Sequence, residues 1–136
     1  MDIFQKVKSL NLPIGEYVVC GGGSLAARGI REARDVNILV LPALYQSIKE
    51  KGGWQETDYV TGEKILAMDG YQAAQSMNAG DYKVDAEKLI KSADIIEGLP
   101  FLNLSELVAY KKARGKEKDL KDIELIESYL KDKVNK

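Results

Sequence analysis

Three consecutive glycines, Gly21-Gly22-Gly23, follow the short β-rich run Glu16-Tyr17-Val18-Val19-Cys20. This junction constrains the fold more than any other feature of the chain. A strand that enters three residues without Cβ atoms can turn sharply and bring its backbone close to a ligand or a neighbouring element. Ser24 is a good N-cap, so the pattern predicts a short helix through Leu25-Ala26-Ala27-Arg28, stopped near Gly29. Two uses fit such a turn equally well. One is an anion site made by free amides at the helix start, and the other is close strand–helix packing.

Gly21, Gly23 and Ala26 also match the GxGxxA dinucleotide fingerprint, but the spacing argues against it. That unit needs about 30 residues with a full crossover helix before its second strand. Here the next strand opens at Asp35, and Gly29 cuts the helix short. The phosphate-loop pattern fails as well, because no Gly-Lys-Ser/Thr follows the turn.

The second strand is predicted from Asp35 to Leu41, ended by Pro42. Residues i and i+2 of a strand share a face, so Asp35 and Asn37 project together while Val36 and Ile38 face the other way. Polar residues opening an apolar strand suggest a site at the mouth of a sheet. From the pair alone, a solvated strand end is the simpler reading.

Elsewhere, Ile3, Phe4, Val7 and Leu10 predict an opening amphipathic helix, and Tyr45 to Lys51 a helix closed by Gly52-Gly53. Trp54 to Gly80 is expected to hold two strands with a turn at Thr61-Gly62, then a loop or short helix after Gly70. Tyr82-Lys83-Val84-Asp85 is expected as a strand, Ala86 to Ile96 as a helix, and Phe101 to Leu104 as a short strand. Two helices close the chain, Ser105 to about Arg114 and Lys118 to Lys131, with Gly115 between them. The expectation is one α/β (α+β) domain over residues 1–136. A mixed sheet with flanking helices occupies residues 12–104, and a helical tail residues 105–136.

Composition limits the chemistry. The 136 residues are 45% hydrophobic and 30% charged, as in a globular domain, with a net charge of −1. No whole-chain field therefore draws the protein to nucleic acid or an anionic membrane. Histidine is absent and Cys20 is the one cysteine, which leaves no His-containing triad and no zinc site of the usual kind. A lone cysteine, no signal peptide and no run of about 20 apolar residues predict a cytoplasmic protein without a membrane partner. Cys20 reads as a buried small hydrophobe. Arg28, Arg31 and Arg34 approach Asp35, where they could meet phosphate, although solvated or Glu32-paired arginines are the plainer reading.

The run from Gly21 through Ser24, Arg28 and Arg31 to Asp35-Val36-Asn37-Ile38-Leu39-Val40 resembles the signature of the nucleotidyltransferase superfamily. That signature is a Gly-Gly or Gly-Ser turn, a short helix, an Arg-rich approach and Asp-x-Asp on a strand. The tail, Leu104 to Arg114 followed by Lys118-Asp119-Leu120-Lys121-Asp122, is similar to that of the small bacterial and archaeal branch, which includes toxins of toxin–antitoxin systems. The resemblance spans about Gly15 to Leu41 and Tyr82 to Leu130.

It implies a nucleotidyltransferase-like fold that moves a nucleotide from an NTP to a hydroxyl of nucleic acid, such as tRNA, or of protein, with an antitoxin as a further partner. It also implies Mg²⁺ on Asp35, Asn37 and Asp85, and phosphates on Gly22, Gly23 and Ser24. Lys111 or Lys112 would reach the triphosphate, and Asp119 would orient it. The sequence departs from the family pattern at Asn37, where a neutral amide replaces a carboxylate and weakens any site for a hard cation. A catalytically inactive relative that binds a nucleotide or a partner protein in a regulatory role therefore stands beside the active enzyme.

Overall fold

The computed structural model describes residues 2–134. Its thirteen elements run α1 (Ile3–Lys8), β1 (Tyr17–Cys20), α2 (Gly22–Ala27), β2 (Val36–Val40), α3 (Pro42–Lys51), β3 (Gln55–Asp58), β4 (Lys64–Met68), β5 (Tyr71–Ala74), α4 (Ala86–Lys91), β6 (Asp94–Ile96), β7 (Leu99–Phe101), α5 (Leu104–Arg114) and α6 (Glu117–Val134). The strands form a mixed seven-stranded sheet in the order β3-β4-β5-β2-β1-β7-β6. β2 runs antiparallel to β1 and parallel to β5, and β1 runs parallel to β7. The molecule is α+β, with a mixed sheet and a helical end.

The period of two in β2 divides the core. Val36, Ile38 and Val40 pack with Val19 and Phe101 beneath α1 and α3, meeting Ile3, Val7, Leu44, Tyr45 and Ile48. Leu39 and Val18 face the opposite way, against Leu89 of α4, Leu107 of α5 and Ile126 of α6. Asn37, between Ile38 and Val36 in the alternation, belongs to this second face.

Local chemistry sets the helix ends. The Asp2 carboxylate accepts from the Gln5 amide while the Gln5 side chain accepts from the Asp2 amide, a reciprocal cap for α1. Pro42 occupies the first turn of α3, where its missing N–H costs nothing. Asn103 caps α5 through the Glu106 amide, and Gly115 ends it in the left-handed conformation at φ 65°.

Four expectations are corrected, and the first is the strand expected at Phe101 to Leu104, which is instead β7 at Leu99–Phe101, with Leu104 already in α5. The segment after Gly70 is not a loop or short helix but β5, an interior strand paired with both β2 and β4. Tyr82 to Asp85 is not a strand. Only an isolated bridge joins Ala79 and Tyr82, and Asp85 leaves the sheet to cap α4. The helix expected to reach Ile96 stops at Lys91, because Glu97 and Gly98, both at positive φ, make the two-residue turn that pairs β6 with β7. Among the described residues, no helix is long and apolar enough to cross a membrane.

Candidate functional site

A cleft of about 920 Å³ opens over the second face of the sheet, between the glycine turn and the C-terminal helices. Strand register builds its floor. Cys20 pairs with Asn37 and Asn37 with Gln72, so these three side chains stand in a row across β1, β2 and β5. Gly21, Gly22 and Arg31 line one side, which continues through Asp122 to Lys111, Tyr110 and Arg114 of α5. The β3–β4 hairpin tip, Tyr59 and Val60, lies at the rim. Six basic and four acidic side chains line the cleft, so it is locally positive within a chain of net charge −1.

The charged wall is a network of five groups. Arg31 Nε and Nη2 donate to the two oxygens of Asp122 at 2.7 and 2.9 Å. Lys111 Nζ donates to Asp122 Oδ2 at 2.9 Å and lies 3.5 Å from Asp119 Oδ1. Arg114 grips Asp119 with Nη2 at 2.6 Å and Nε at 2.8 Å, and the Lys116 amide adds a bond at 3.1 Å. Asp119 and Asp122 are one helical turn apart on α6, which puts both on the face turned to α5.

Burial raises the Asp119 carboxyl, but the Arg114 hydrogen bonds, the Lys116 amide and the nearby cations outweigh it and hold it at about 2. At Asp122 burial likewise pushes up, and Arg31 and Lys111 bring the carboxyl below its ordinary value. Burial pushes the Cys20 thiol up to about 12, and the thiol donates to the Asn37 carbonyl oxygen. It is not poised as a nucleophile.

The expected site residues separate on this frame. Asp35 and Asn37 both reach the cleft, Asp35 exposed at its mouth. Gly22 lines it too, and a Cβ there would lie 3.2 Å from Arg31 Nη1. Gly21 adopts φ 61°, and a Cβ on it would sit 3.2 Å from Asn37 Nδ2. The turn is therefore shaped around Arg31 and Asn37.

Gly23 and Ser24 do not line the cleft. A Cβ on Gly23 would fall 2.6 Å from Val19 Cγ1, so this glycine faces packed core. The buried Ser24 hydroxyl donates to the Val19 carbonyl at 2.9 Å. Here the packing use of the turn wins. Replacing Gly23 with alanine should destabilise the fold by about 1–3 kcal/mol through overpacking, read from the urea unfolding midpoint. A change under about 0.5 kcal/mol would show that Val19 and Ile3 yield freely.

Asp85 does not line the cleft. Its carboxylate accepts from the Glu87 amide as the N-cap of α4. Lys111 lines the cleft, whereas Lys112 is exposed outside it. Asp119 is fully buried and spent on Arg114, Lys111 and the Lys116 amide, so it holds the wall and does not face a ligand.

Two features escaped the sequence reading. Gln72 stands beside Asn37, on a strand whose Tyr-Gln-Ala-Ala run carries little β signal. The Arg31–Asp122 pair joins residues 91 positions apart, beyond the reach of any local pattern.

Asp35, Asn37 and Gln72 supply one carboxylate and two amides to the cleft, and among the described residues no three His, Cys, Asp or Glu side chains converge. Asn37 Oδ1 is enclosed and has no hydrogen-bond donor within reach. One carboxylate does not fit a bridged pair of Mg²⁺ ions, which need compensating negative charge. No family model, curated protein or solved structure matches the chain.

Proposed function

We propose that the cleft binds a nucleotide through its phosphates without needing a divalent cation, as a binding module that does not transfer the nucleotide. The observation that carries this reading is the cationic wall, in which Arg31 keeps free N–H groups beside Gly22 while Lys116 and Lys118 add charge at the rim. Guanidinium groups bind phosphate through charge-assisted, two-point hydrogen bonds. The apolar side of the cleft, with Val60, Leu107 and Tyr110, offers room for a ring.

The test is thermal unfolding with each of the four NTPs, in EDTA and in Mg²⁺. At a hundredfold excess over Kd, the preferred NTP should add roughly 2–3 kcal/mol of stability in EDTA. The effect should shrink at high salt, and Arg31→Ala should weaken binding about tenfold or more. No shift with any NTP would end the proposal.

A second reading rests on Asp35 and Asn37, two positions apart in the chain and both on the cleft. It is a single-metal nucleotidyltransferase acting on a tRNA or protein hydroxyl. A shift that requires Mg²⁺ and disappears in Asp35→Ala, together with labelled nucleotide appearing on an acceptor, would favour it.

A further inference from the structure

We infer that Asp122 is a positioning residue, which holds the Arg31 fork in the orientation that meets a ligand's phosphate. This inference rests on the nucleotide-binding reading of the cleft. Arg31 lies on the connection between α2 and β2, residues 28–35, which has no helix or strand to fix it. Its long side chain would otherwise sample many rotamers, at a cost in entropy each time a ligand ordered it. The structure removes that freedom before any ligand arrives. Asp122 takes Nε and Nη2 in a two-point pair, and the Glu32 carbonyl takes one proton of Nη1 at 2.8 Å.

Three of the five guanidinium N–H groups are thereby used, and one on each terminal nitrogen stays free. The Arg31 side chain is 36% exposed on the cleft wall, whereas the Asp122 side chain is 8% exposed. Asp122 is itself held, because the buried Lys111 ammonium also binds its Oδ2. The chain of support therefore runs from α5 through α6 to the loop beside the glycine turn.

The sign of one mutational effect separates this role from simple electrostatics. Asp122 is an anion in a site for anions, so charge alone predicts that removing it strengthens phosphate binding. Positioning predicts the reverse, since a loosened fork must be reordered by each ligand.

The measurement is calorimetric titration of the full chain with each of the four NTPs, in EDTA at low ionic strength. Asp122→Asn keeps the shape and removes the charge, and it should weaken the preferred NTP about tenfold. Arg31→Lys keeps the charge and removes the fork, and it should weaken binding by a similar factor. The double variant should be no worse than either single one.

If wild type binds and Asp122→Asn binds as well or better, the positioning role is overturned while the binding reading stands. If wild type binds none of the four, both fall. Should Asp122→Asn fail to fold, Asp122→Glu decides, since it keeps the charge and displaces the carboxylate from the Arg31 fork. Undiminished affinity in Asp122→Glu overturns the inference, and a loss of about tenfold supports it.

Discussion

Asp119→Ala should cost the fold about 3–5 kcal/mol, the usual scale for removing one partner of a buried ion pair. The Asp119 side chain is fully buried and takes both Arg114 nitrogens, the Lys116 amide and the nearby Lys111 ammonium. Without it, Lys111 keeps only Asp122, and the α5–α6 turn loses the bond to the Lys116 amide. Urea unfolding at neutral pH reads the loss as a lower midpoint at unchanged slope. A loss under about 1 kcal/mol would mean that solvent reaches the network and replaces the carboxylate.

The same group sets an acid dependence whose direction follows from its lowered pKa. Asp119 is near 2 when folded, below the ordinary carboxylate value, so the folded state holds it ionised more tightly than the unfolded chain does. Its contribution is complete above the unfolded pKa of about 4 and is lost as pH falls through about 2. One pKa unit is about 1.4 kcal/mol, which makes the acid-labile share roughly 2 kcal/mol. Wild-type stability should fall across that window, and Asp119→Asn should show a flatter profile.

Phe101→Ala should be of similar size, about 3–5 kcal/mol. Phe101 is fully buried on β7, opposite Val19 of β1, and its ring meets Phe4 edge-on at 5.7 Å between centroids. Removing it opens a cavity at the point where β7, β1 and α1 meet, and the short strands around it have little slack to collapse. An unfolding midpoint within about 1 kcal/mol of wild type would show that the α1 side of the core refills the gap.

Legibility from the sequence tracked how local the cause was. β1, the glycine turn and β2 were readable because apolar alternation and three glycines act within a few residues. α5 and α6 were readable because Gly115 separates two stretches at helical spacing, although Asn103, expected in a strand, caps the first of them. β5 was missed because Tyr71-Gln72-Ala73-Ala74 is a strand by virtue of its neighbours, β2 and β4, not its own propensity.

The candidate site divides in the same way. Asp35, Asn37 and Gly22 were found from spacing along one strand and turn. Asp85 was misplaced because its assumed strand gave way to a helix cap, and a carboxylate can satisfy helix amides as readily as a cation. Gly23 and Ser24 were drawn into core packing, a role that no motif distinguishes from phosphate binding. Gln72, Arg31 and Asp122 are neighbours only after folding.

The 91-residue separation between Arg31 and Asp122 also has a consequence for how the protein is made. A ribosome adding roughly 5–20 residues per second exposes the glycine turn and its arginine for several seconds before the clasping carboxylate exists. A nascent chain halted before α6 would carry β1, β2, their turn and α5 but not Asp122, so the Arg31 side chain would be fixed only near the end of synthesis.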